Sequence, residues 1–184
     1  MMRVTILLLA LLLLLAAAGC TATEDTNDTP TPAEGGDEAQ IYAAAIRQIY
    51  NVDHSFGQPP GWPLVYVVSV TDDSAMVDAP TTPSQTLSVD LQEAITAELS
   101  DQPFELIWID GPEEVLIDPT NGQIAGGDGI IITLGNIHSQ DDGSVQLPFF
   151  MTCGGLCGIG KTYVMGQAGD AWTVTGSVGP EIMS

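Results

Sequence analysis

The feature that most narrows what this chain can become is its opening stretch, MMRVTILLLALLLLLAAAGC. A single Arg3 precedes an apolar run from Val4 to Ala18, which gives way to small residues and Cys20, the layout of an export signal. A transmembrane helix needs about 20 apolar residues to cross roughly 30 Å of hydrocarbon. Val4 to Gly19 falls short of that, and the polar TATEDTNDT follows at once. The run is therefore expected to be cut away, and the remainder to fold outside the cytoplasm; an uncleaved anchor is the alternative.

The end of that run, Ala17-Ala18-Gly19-Cys20, resembles the lipobox of bacterial lipoproteins. The resemblance implies that residues 1–19 are removed as a signal peptide and that Cys20 receives a diacylglyceryl group. The protein would then be extracytoplasmic, held by its lipid to the cell membrane or the outer membrane. Two acyl chains anchor stably where one binds only marginally. Ordinary secretory cleavage after Ala18, giving a soluble product, is the alternative. Residues 20–37 then form the lipidated cysteine and an acidic tether rich in Thr and Pro, without apolar periodicity to offset the entropy of ordering. Asn27-Asp28-Thr29 matches a glycosylation sequon and is taken as chance.

Residues 38–184 remain for one domain, enough to bury roughly two thirds of the unfolded surface. The full chain carries 24 acidic residues against Arg3, Arg47 and Lys161. If Arg3 leaves with the leader, two bases face those acids, an excess of 22 negative charges. Such a surface has no basic stripe to displace counterions from a phosphate backbone, so nucleic acid is excluded as a partner. Membrane attachment through the lipid, and an unidentified protein or small molecule, are the partners expected.

Asp37 followed by Gln40 forms a capping box, and Ile41, Tyr42, Ala45, Ile46, Ile49 and Tyr50 share one stripe, which predicts a helix over about 38–51. The breaker run at 57–61 separates it from a β-rich stretch, Leu64 to Val70. Ser88 can cap a second helix whose apolar positions are Leu91, Ile95 and Leu99, ending near Asp101. Further strands are predicted over Phe104–Ile109, Gly129–Leu134, Val145–Met151 with Pro148 at an edge or bulge, Thr162–Met165 and Trp172–Thr175. Two early helices and five to six strands predict an α+β fold, with both helices packed on one face of a mainly antiparallel sheet.

Gly155 to Thr162 fits the phosphate-loop pattern, Gly followed by four residues and Gly-Lys-Thr. That chemistry needs the loop between a strand and a helix, so that backbone amides converge on the phosphates. Here Tyr163-Val164-Met165 leads into Gly166, Gly169 and another β-rich run, a hairpin, so no nucleotide is expected. Leu106 to Asp110 could imitate a magnesium-binding strand end, but one acid after an apolar strand is commonplace.

With Cys20 assigned to lipid, Cys153 and Cys157 form an even pair in an oxidising compartment, and a disulfide across Gly154-Gly155-Leu156 is expected. Free thiols or a metal site are the alternatives, the latter weakened because only His54 and His138 could join the pair. The segment from Cys153 to Val174, with its Cys-Gly-Gly-Leu-Cys-Gly-Ile-Gly run, Tyr163 and Gly169-Asp170-Ala171-Trp172-Thr173-Val174, resembles the C-terminal hairpin of exported bacterial domains without assigned activity. That resemblance implies that the glycines and Lys161 are parts of a hairpin.

No nucleophile elbow, zinc-protease helix or calcium-loop spacing is present, and no metal or cofactor is expected. Asp53-His54, just after the first helix, are the weak catalytic candidates, a base with its orienting carboxylate. His138 is placed in a solvated loop, the paired acids Asp72-Asp73, Glu113-Glu114 and Asp141-Asp142 lack the ligand spacing and bidentate glutamate of a calcium loop, and Trp62, Trp108 and Trp172 are placed in core or rim packing. The residues favour a non-enzymatic binding or interaction module at the cell envelope. The alternative is a hydrolase-like extracytoplasmic enzyme with its pocket between helix one and the sheet.

Overall fold

A computed structural model describes residues 35–54, 61–74, 82–120, 122–124, 128–155 and 157–183. The leader, Cys20, residues 21–34 of the expected tether and residues 57–60 of the breaker run lie outside the described residues, whereas residues 35–37, expected to end the tether, already belong to the first helix, with Asp37 inside its first turn rather than at its cap. Among those described, no helix is long and apolar enough to cross a membrane.

Helix α1 spans Gly35–Asn51 and buries the stripe read from the sequence, with Ile41, Ile46 and Ile49 fully enclosed. Helix α2, Val89–Glu98, starts where Ser88 accepts a hydrogen bond from the Leu91 amide (3.2 Å), so its first turn is capped as expected. The strands are β1 (Leu64–Val68), β2 (Glu105–Ile109), β3 (Gly129–Leu134), the two-residue β4 (His138–Ser139), β5 (Val145–Gly154), β6 (Cys157–Ala168) and β7 (Ala171–Met183). They form one sheet in the order β2-β1-β3-β5-β6-β7, with β4 beside β5.

The fold is α+β, and most strand pairs are antiparallel, but β1 runs parallel to both β2 and β3. Parallel neighbours need a long crossover, and α2 supplies it between β1 and β2. Alternation along the strands then divides the apolar residues between two faces. Val65, Val67, Ile130, Ile132, Phe149 and Met151 share the main core with α1 and α2. The intervening Val68, Ile109 and Ile131 meet Val115 and Ile124 from the β2–β3 connection in a smaller cluster on the other face.

Two expectations for the strands also need correction. Pro148 lies inside β5, which is flanked by strands on both sides, rather than at an edge. It is accommodated because β3 ends opposite Phe149, and the Pro148 carbonyl accepts from the Gly135 amide (2.7 Å) just beyond that end. A residue's N and C=O point to the same side of a strand, so the missing donor faces the gap rather than β6. The last two strands are also far longer than predicted, because the glycines of 158–160 and 176–179 continue the ladder instead of interrupting it.

At the β5–β6 tip Cys153 and Cys157 form a disulfide, their Cα atoms 5.3 Å apart. Gly154 there has φ of +147°, and a Cβ on it would stand 2.8 Å from Gln123 Cα and the Gly122 carbonyl oxygen. Only glycine lets the 122–123 loop approach so closely.

Candidate functional site between the first helix and the last strand

The polypeptide leaves α1 with the Val52 and Asp53 amides both donating to the Gln48 carbonyl, which turns Asp53 back toward the sheet. On β6, Lys161 and Tyr163 are two residues apart and therefore share a face, here the face covered by α1. The Asp53 carboxylate meets both: Lys161 Nζ stands 2.9 Å from Oδ1, and the Tyr163 hydroxyl donates to Oδ2 (2.8 Å). Gln48 Nε2 donates to Oδ2 as well (3.1 Å), and Glu181 approaches Lys161 from β7 at 3.3 Å.

Burial pushes the Asp53 carboxyl up, but donation from Lys161, Tyr163 and Gln48, with the Lys161 charge, outweighs it and leaves the group below the ordinary carboxylate range. Lys161 is drawn down by burial and raised further by Asp53 and Glu181, ending above the ordinary lysine value. Burial and the Asp53 charge carry the Tyr163 phenol far above its usual value. The shifts thereby hold Asp53 and Lys161 charged and Tyr163 as a neutral phenol.

This network lines a cleft of about 290 Å³ that lies beside a second one of about 450 Å³, the two sharing Gln48 and Val174. The α1 wall supplies Arg47, Gln48, Asn51 and Val52, and β7 supplies every residue from Ala171 to Ser177. Arg47 is occupied by Asp101 (3.2 Å) and by the Glu98 carbonyl. Trp172 forms part of the wall while burying its indole N–H without an acceptor among the described residues.

No family model, curated protein or solved structure matches this chain. The site is therefore read from its own chemistry. Among the described residues no group of three or more His, Cys, Asp or Glu is placed to hold a metal ion.

Asp53, one of the weak catalytic candidates, is central to the cleft. His54, the other, is buried, its ring edge-on to Trp62 with centroids 6.3 Å apart. Lys161 and Thr162 of the phosphate-loop-like run lie within β6, not at the start of a helix, and Lys161 is engaged by Asp53 and Glu181. Gln48, Tyr163 and Trp172 went unread as cleft residues. The Lys161/Tyr163 spacing on a strand was the available signal, since it puts a cation and a phenol on the buried face.

His138 is a further correction. It is not a solvated loop residue but begins β4, with Nε2 3.0 Å from the Asp73 carboxylate. Asp73 is buried where the segments after β1 and β3 converge, and also accepts from the Asn136 amide (2.7 Å) and Asn136 Nδ2 (2.9 Å). Thr71 donates to Asn136 Oδ1 (2.8 Å) and Tyr42 to the Gly135 carbonyl (3.2 Å), tying the two segments to α1. This second cluster fastens loops together.

Proposed function

We propose that this protein is an exported lipoprotein, anchored outside the membrane through Cys20, whose domain binds a partner or ligand in the cleft between α1 and β7 without turning it over. One observation carries the reading of the domain: the Asp53–Lys161–Tyr163 group is an ion-pair and hydrogen-bond network whose members are held in their ordinary protonation states, Asp53 and Lys161 charged and Tyr163 a neutral phenol. A general acid or base works best with a pKa near the operating pH. These groups hold a shape and present fixed polarity, as a recognition site requires. The Lys161 engagement and the antiparallel setting of Gly158 to Thr162 likewise support a role without nucleotide. The excess of acidic residues supports one without nucleic acid.

The address is tested on the N-terminal peptide. Trypsin cuts after Arg47, so a mature lipoprotein yields a fragment from Cys20 to Arg47. Its mass should include a diacylglyceryl group. An unmodified fragment, one beginning at Gly19, or a retained leader would overturn the anchoring.

A further inference from the structure

Strand β7 ends the sheet, paired with β6 on one side only, and its first seven residues line the cleft continuously. Helix α1 stands on the far side, so the cleft is a trough between an edge strand and a helix. Proteins blunt an exposed edge with charged side chains, proline or a covering segment, because its unpaired N–H and C=O groups recruit other strands. From Ala171 to Ser177 the sequence is Ala-Trp-Thr-Val-Thr-Gly-Ser, without a charge or a proline, in a chain holding 24 acidic residues. Pro180 and Glu181 come only beyond the cleft. Thr173 and Thr175 add β-propensity, and their hydroxyls point their bonds inward, to the Gly166 and Val164 carbonyls of β6 (3.4 and 3.1 Å).

From this we infer that the partner of the cleft is an extended, basic-to-neutral segment of another protein, which adds to β7 as an eighth strand and lays alternate side chains into the trough. The inference rests on the binding reading of the cleft. Main-chain pairing supplies affinity in such strand addition and the pockets supply selectivity. Charge selects the occupant. Both basic side chains of the trough, Arg47 and Lys161, are held by acids of this chain, while Asp101 and Glu181 beside it remain substantially exposed. An acidic segment would find no unengaged cation among the described residues of the trough. A second copy would bring the same negative excess to the edge.

The experiment uses the isotope-labelled full chain and a seven-residue probe, acetyl-Lys-Val-Thr-Val-Lys-Val-Thr-amide. The probe should shift the backbone amides of 171–177 and the Trp172 indole N–H. N-methylation of its five inner amides keeps charge and side chains but removes the ladder donors, and should weaken binding by about tenfold or more. Glutamate in place of both lysines should weaken it too, and added salt should reduce the difference. Equal binding by the methylated probe, shifts confined to other strands, or no binding at all would overturn strand addition. So would concentration-dependent shifts of 171–177 without probe, which would assign the edge to a second copy. A failed probe with Asp53 still titrating below the carboxylate range removes the inference alone, whereas Asp53 titrating near neutrality removes the binding reading beneath it.

Discussion

Asp53 and Lys161 are 108 positions apart in the chain, and each offsets much of the other's cost of burial, Glu181 adding to the support of Lys161. Lys161→Met should therefore cost about 2–3 kcal/mol, less than a fully buried pair because Asp53 keeps some solvent contact. The sign of the pH dependence follows from the shifts. Asp53 is lowered in the folded state, so its contribution is complete above the ordinary carboxylate range and is lost as pH falls through the lowered value. Lys161 is raised, so its contribution is complete below the ordinary lysine range and is lost as pH rises through the raised value. The stability gap between wild type and Lys161→Met should be flat from about pH 5 to about pH 9 and shrink outside that window. Chemical denaturation across pH measures it. Sequence reasoning could name Asp53 because it follows a helix end. It could not pair it with Lys161, since nothing local records which strand residue faces that end.

Elements were legible where one periodicity dominated. The α1 stripe, the Ser88 cap and the β-branched runs of β1 and β3 sit close to where the pattern put them. Strands β6 and β7 were under-read because glycine weakens a strand signal, yet here neighbouring strands supply the ladder that glycine does not oppose. The β5–β6 tip depends on its crosslink and on the loop it touches, where the Gly155 amide donates to the Gly122 carbonyl (2.8 Å) and Gln123 bridges Gly154. Replacing Cys153 and Cys157 with serine should lower stability by about 1–2 kcal/mol, the loop closed being very short. Hydrogen exchange should rise first at Gly122, Gln123 and Gly155, and later in the centre of β5. Uniform loosening of the whole sheet would show that the disulfide does more than hold the tip.

At the scale of the molecule, the class, the two helices and their single face followed from the order of elements. The parallel pairing of β1 with β2 and β3 did not, because a chain pattern records which segments are strands and not which become neighbours. The negative excess opposes compaction across the whole domain, so moderate NaCl should raise the melting temperature relative to low salt. A fall would mean that specific ion pairs outweigh the general repulsion. The functional account depends on a cleft whose ionisable groups are fixed and do not exchange protons with a substrate. The direct measurement is the titration of the Asp53 side-chain carbonyl by carbon NMR. It should remain ionised down to below the ordinary carboxylate range, with Lys161 charged throughout. An Asp53 that takes up its proton near neutral pH would contradict the account and make the cleft an active site.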